Sequence, residues 1–244
     1  MWLTALSSNK LELIKAQWSD HRSKKVIFLA HCLLNENTRY MGGAVCGGAN
    51  QEILDLLRGC SVGVIQMICP ERIAWGGVYK MKMLQFHGIG KSYLVSRVCA
   101  SCLPLFMFWL NYKMRWVAKY TAAEMKDYIQ NGISVIGVVG VGGSPACGVE
   151  HTPDLRRYFE WSSKADLRTV TAKEHNSIIE NITHEGQGAF IRYLKRRLEK
   201  YNVNIPFFEY NLWDEMHGRD NSVTRILRTH LAAEGLYTGT DNIA

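Results

Sequence analysis

The chain has 244 residues, 47% apolar and 21% charged, a balance that excludes global disorder and supplies enough apolar surface for one sizeable core. A net charge of +7 permits an anionic partner such as a nucleotide or RNA without demanding one. The densest basic run, Lys195-Arg196-Arg197, falls on an expected helix and reads as its solvated face.

The N-terminal stretch has no basic region followed by an apolar one, so no secretory signal is expected. The longest apolar run, 98–110, contains Ser101 and Pro104 and falls short of the ~20 residues that span a bilayer. A cytoplasmic protein with no membrane partner is the expectation; oligomeric state is not legible.

In chain order, an amphipathic helix is expected over 3–18, with no chemistry attached. Residues 25–32, ending in His31-Cys32, read as a buried strand, and a polar loop follows. A helix over 50–58 closes at Gly59. A second strand, 61–69, ends at Cys69 because Pro70 cannot donate to a ladder. Residues 78–131 are expected as an embellishment, helical from 104 to 130. That helix carries an aromatic stripe (Phe108, Trp109, Tyr112, Trp116, Tyr120) for core or interface packing, and the capping-box pattern at Thr121 suggests a break there. A third strand begins near Ile133 as an uncharged run of small and β-branched residues. It ends in Gly142-Gly-Ser-Pro-Ala-Cys147-Gly148.

Residues 152–182 read as a charged surface excursion. Gly186 and Gly188 open a helix over 189–200. A fourth strand over 204–211 takes an edge because of Pro206, and a last helix covers 220–234. Strand–helix alternation with right-handed crossovers gives a single three-layer α/β domain over 1–244. Its parallel sheet is Rossmann-like or flavodoxin-like, in strand order 2-1-3-4.

Seven cysteines in a chain expected to stay reduced point to metal ligation or catalysis for some of them. In the order 2-1-3-4, Cys32, Cys69 and Cys147 end three adjacent strands at the edge where open α/β sheets bind ligands. Strands ~4.8 Å apart would bring them within ~10 Å of one another. None of the three belongs to a close Cys-x-x-Cys pair, which argues against a zinc site. Three thiolates suit an iron–sulfur cube with one open, Lewis-acidic iron. The other reading is three small buried hydrophobes. The one Cys-x-x-Cys pattern, Cys99-Ala-Ser-Cys102, stands apart as a weak zinc or redox half-site.

Nearby polar residues offer chemistry. Ser144 precedes Cys147 in a tight turn, Glu71 follows Cys69 and could move a proton, and Arg39 could hold a carbonyl or anionic group. His31 and His151 read as packing or hydrogen-bonding residues. Gly186 and Gly188 read as a plain helix start, with an anion site as the other option.

Taken together, Cys32-Leu-Leu-Asn35 with Arg39-Tyr40, Cys69-Pro-Glu71 with Gly76-Gly77, Ser144-Pro-Ala-Cys147-Gly148 and Gly186-Gln-Gly188 resemble the thiouracil-desulfidase family. The resemblance covers roughly 25–77 and 133–200. It implies a [4Fe-4S] cluster held by Cys32, Cys69 and Cys147. A thiolated pyrimidine, as base, nucleoside, nucleotide or within tRNA, would lose its sulfur to give the oxo product and sulfide. It also implies Ser144 and Glu71 as catalytic residues and Arg39 and Asn35 on the substrate. Ala146 stands where the family has a second serine, and Met41 where it has an aspartate, so the ligands carry over more securely than the substrate. Sulfur transfer, a dehydration at the open iron, and non-catalytic metal or nucleotide binding are the alternatives.

Overall fold

The computed structural model describes residues 8–18, 20–80, 82, 98 and 101–237. Four parallel strands form the sheet: β1 (Lys25–Leu29), β2 (Gly63–Gln66), β3 (Ser134–Gly142) and β6 (Phe207–Asn211), in order β2-β1-β3-β6. This is the 2-1-3-4 order expected from right-handed crossovers, with β6 at one edge. The strands stop earlier than their apolar runs suggest. β1 ends at Leu29 and β2 at Gln66, and single backbone bonds, Ala30 N to Val139 O and Met67 N to Leu29 O, carry the pairing slightly further. Eight of the nine β3 residues are buried, as an uncharged strand covered on both faces requires. β2 is the other edge, and Gly63, Val64 and Gln66 are exposed.

The remaining elements, in chain order, begin with α1 (Ser8–Gln17), α2 (His31–Leu34), a 3-10 turn (Glu36–Thr38), α3 (Gln51–Gly59), α4 (Pro70–Ala74) and α5 (Leu103–Gln130). A hairpin of β4 (His151–Pro153) and β5 (Thr183–Glu185) encloses α6 (Leu155–Ser162) and α7 (Ala172–Asn181). Then come α8 (Ala189–Lys200), α9 (Leu212–Met216) and α10 (Ser222–Ala233). α3 makes the β1–β2 crossover and α5 the β2–β3 crossover. These run in opposite directions along the sheet, so right-handed connections put them on opposite faces. α8 packs on α5, and α10 packs on β6 and α3, which completes three layers. One apolar cluster runs from Ile27 to Leu231. Among the described residues, no helix is long and apolar enough to cross a membrane.

Three expectations need correction. Residues 103–130 form one unbroken helix, and Thr121 causes no break: its hydroxyl donates to Val117 O inside the helix at 3.1 Å. The aromatic stripe on that helix does not supply the core. Phe108, Tyr112, Trp116 and Tyr120 are 70%, 57%, 40% and 50% exposed, while Leu110, Met114, Val117, Ala118, Ala122 and Met125 face inward. The smaller stripe lets α5 approach the sheet and α8 closely. Finally, 152–182 is not a mere surface excursion, because Tyr158, Phe159 and Ile179 are buried and belong to the core. The expected start of the first helix at Leu3, and Cys99 of the Cys-x-x-Cys pattern, lie outside the described residues.

Candidate functional site

The chain crosses from one side of β1 to the other between β2 and β3. The carboxyl ends of β1 and β3 therefore border a topological switch point. A cavity of about 80 Å³ lies there, lined by Cys32, Cys69 and Cys147 together with Ser144, Glu71 and Arg39. A single water needs only ~10–15 Å³ of such space, so this is more than a packing flaw.

Each thiol is placed by a different local device. Cys32 sits in α2, directly past β1. Cys69 is the N-cap of α4: its sulfur accepts the Arg72 N–H at 3.3 Å, and Pro70 takes the first helical position where no N–H is missed. Cys147 lies in the turn that folds back over β3. The Val141 N–H donates to Cys147 O at 3.0 Å, and the Gly148 N–H to Ser144 O at 3.1 Å. That return is possible because position 140 has no side chain: a Cβ there would stand 2.2 Å from Cys147 O.

Gly188 finds its use here. The Gly188, Ala189 and Ile191 N–H groups, at the start of α8, donate to Gly148 O, Pro145 O and Ala146 O at 2.9, 2.9 and 3.2 Å. The amides of that helix start hold the carbonyls of the cysteine turn, so the plain helix-start reading stands.

Ser144 and Glu71 come from different strand ends and meet. The Ser144 hydroxyl donates to Glu71 Oε1 at 2.7 Å, while its oxygen accepts the Ala146 and Cys147 N–H groups at 3.2 and 2.9 Å. Glu71 Oε2 lies 3.4 Å from Lys80 Nζ, and Lys80 also lines the cavity.

Arg39 lines the cavity but is heavily engaged. Its guanidinium lies 3.1 Å from Glu36 Oε1 and 2.5 Å from Glu215 Oε2, and it donates to Gly43 O at 3.3 Å. Asn35 is not among the lining residues. Its side chain accepts from Asn37 N at 3.2 Å and Asn37 Nδ2 at 2.9 Å, which closes the 3-10 turn. His31 lines the cavity and its Nδ1 lies 3.2 Å from Met67 O. His151 Nδ1 pairs with Glu209 Oε1 at 2.7 Å. Both match their expected hydrogen-bonding parts.

The opposite wall is aromatic and was not anticipated. Tyr40, Tyr158 and His175 line the cavity. Tyr158 Oη lies 3.0 Å from His175 Nε2, and the Tyr40 and His175 rings meet edge-on at 5.7 Å. Burial lowers the His175 pKa, favouring a neutral ring, and pushes Tyr158 up to about 12. Tyr40 belongs to the Arg39-Tyr40 motif, but the only sequence signal for Tyr158 and His175 was the polar-apolar mixture of 155–181, which fits any half-buried helix.

The three thiols are shifted in one direction. Burial pushes Cys69 up to about 11, with the Glu71 charge adding to it. Burial also raises Cys32, and raises Cys147 further, reinforced by the neighbouring Cys32 and Cys69. The metal-free site therefore holds neutral thiols at pH 7, and a bound metal would displace their protons. Cys32, Cys69 and Cys147 give this cavity a set of three sulfur donors, the ligand type that iron–sulfur clusters take.

Two tighter groups, Glu36–Cys46–Glu215 and Glu150–His151–Glu209, have metal-like spacing. The carboxylates of Glu36, Glu215 and Glu209 are already committed. Glu36 and Glu215 flank Arg39, and Glu209 accepts the Val149, Glu150 and His151 N–H groups. No family model, no curated protein and no solved structure matches this chain.

Proposed function

We propose that this protein is an iron–sulfur-dependent desulfidase that converts a thiolated pyrimidine and water into the oxo-pyrimidine and sulfide. The observation that carries the reading is the meeting of three cysteines and a hydrogen-bonded Ser144–Glu71 pair at one cavity. Cys32, Cys69 and Cys147 would hold a [4Fe-4S] cluster. When bound, that cluster supplies an iron lacking a protein ligand, a soft Lewis acid suited to sulfur.

The chain's own residues supply the rest. The Ser144 hydroxyl points its proton at Glu71 Oε1, so Glu71 is placed to take a proton from Ser144 Oγ or from a water beside it. Two backbone N–H groups on Ser144 Oγ stabilise negative charge developing on that oxygen. Tyr40, Tyr158 and His175 line the cavity and would pack against a planar ring. The half-open cavity suits a base or a single nucleotide extending into it.

Anaerobic reconstitution followed by iron, acid-labile sulfide and 2-thiouracil turnover assays tests the reading. We expect brown protein with about four irons per chain and one sulfide released per uracil formed. Cys147→Ala should lose the iron, and Ser144→Ala should keep it while losing turnover. A colourless, iron-free protein sinks the proposal, and sulfur delivered to another acceptor instead of released as sulfide makes it a sulfur transferase.

A further inference from the structure

Lys80 is 2% exposed, one of the largest fully buried side chains described, yet nothing in its sequence setting marks it. Its backbone has φ 55°, a left-handed conformation uncommon for a residue with a side chain, and its N–H closes a turn onto Gly77 O at 3.2 Å. A lysine on such a turn would ordinarily extend into water. This one is buried with its head group among site residues.

The ammonium has two described partners. It donates to Thr38 O at 2.7 Å, next to Arg39 and Tyr40, and it stands 3.4 Å from Glu71 Oε2. The carboxylate of Glu71 is thereby divided. One oxygen lies against the Lys80 ammonium, and the other receives the Ser144 hydroxyl at 2.7 Å.

Cys69 and Pro70 fix the backbone of Glu71 at the head of α4, but a glutamate side chain still has three torsions to settle. Among the described contacts, only Ser144 and Lys80 engage its oxygens, and Lys80 is the charged one. A buried charge is a poor device for stability, because desolvation offsets most of its attraction. Its value lies in fixing one arrangement.

We propose that Lys80 is a positioning residue for the Ser144–Glu71 pair. It holds Glu71 in the rotamer that faces Ser144 and ties the loop after Cys32 to the helix after Cys69. The inference rests on the desulfidase reading for its kinetic consequence, and on cavity geometry alone for its structural one.

The test compares Lys80→Met and Lys80→Arg with the wild type, all reconstituted anaerobically. Expected for Lys80→Met are wild-type iron content, a kcat about 10²-fold lower and a KM within about threefold, the size of effect that a ~1 Å misplacement produces. Lys80→Arg, which keeps the charge, should recover at least about a tenth of the wild-type kcat. In the crystal structure of metal-free Lys80→Met, Ser144 Oγ and Glu71 Oε1 should separate beyond hydrogen-bonding distance.

The proposal is overturned if Lys80→Met retains that contact, turns over normally, or loses activity only in step with lost iron. Should Lys80→Met fail to fold, Lys80→Gln removes the charge, keeps a donor for Thr38 O, and is read in the same way. A wild type that loads iron but releases no sulfide refutes the desulfidase reading. The crystallographic comparison then still decides the role of Lys80.

Discussion

Glu209 offers the sharpest test of how the Cys147 turn is held. It projects from β6 opposite Gly140, and its side chain is 7% exposed. Its Oε2 accepts the Val149, Glu150 and His151 N–H groups at 2.8, 2.6 and 2.9 Å, and its Oε1 meets His151 Nδ1 at 2.7 Å. A Cβ at Gly142 would stand 2.5 Å from Oε1, so the neighbouring strand makes room for this carboxylate. Glu209→Ala removes the only described acceptor of those three N–H groups. Hydrogen bonds to a charged group contribute about 1.5–3 kcal/mol each. Glu150 is exposed and its N–H can return to water, whereas Val149 is buried and His151 half-buried. Two bonds at that value give an expected loss of about 3–6 kcal/mol, a large share of the ~5–15 kcal/mol typical of a domain. Urea denaturation of the metal-free protein measures the loss, and iron content after reconstitution should fall with it. Glu209→Gln, which keeps an acceptor but not the charge, should lose roughly half as much. A loss under about 1 kcal/mol in the alanine variant, with iron binding intact, would refute the anchoring role.

Three further outcomes are expected. Iodoacetamide at pH 7.5 should label exposed Cys102 before Cys32, Cys69 and Cys147, whose burial disfavours the thiolate. Equal labelling by peptide mass spectrometry would contradict this. Gly140→Ala forces a Cβ against Cys147 O and should cost about 1–3 kcal/mol or more and abolish iron binding, whereas Gly59→Ala meets open space and should be nearly silent in thermal unfolding. Raised thiol and phenol pKa values favour the folded state only below the unfolded-state values, so the metal-free protein should lose stability as pH rises from about 9 to 11. Cys69 alone, moved from 9.0 to about 11, accounts for about 3 kcal/mol at the top of that window, and a urea midpoint unchanged across it would be incompatible with a buried neutral thiol.

The sheet was legible because its central strands are uncharged runs with punctuated ends. Val135–Gly142 could be nothing but a strand buried on both faces, and Pro70 and the glycines after Val141 mark where chains leave the sheet. Crossover handedness alone then brings Cys32, Cys69 and Cys147 to one edge. Long-range partners were not legible. Lys80, Glu209 and Glu215 look like surface charges in a sequence, since nothing local announces that Glu71, a run of backbone N–H groups or Arg39 waits across the fold. α5 shows a related limit. It carries two apolar stripes, and periodicity cannot say which faces inward. Side-chain size settles it in the fold, because Val117, Ala118 and Ala122 permit a close approach that Trp116 and Tyr120 would block.

The same hidden partners explain why the site is built before any metal arrives. Beyond Cys32, Glu36 accepts the Val45 and Cys46 N–H groups at 2.7 and 2.8 Å and pairs with Arg39, which fixes the loop that follows that thiol. Around Cys69 the thiol itself caps α4 through Arg72 N–H, an orientation that a metal-bound thiolate could keep with a stronger acceptor. Around Cys147 the turn is held from three sides, by Ser144, by Glu209 and by the first amides of α8. In small zinc domains the metal supplies the folding energy. Here a core running from Ile27 to Leu231 and a set of carboxylate anchors supply it instead. A cluster bound as proposed would therefore not have to order the loops that present the thiols.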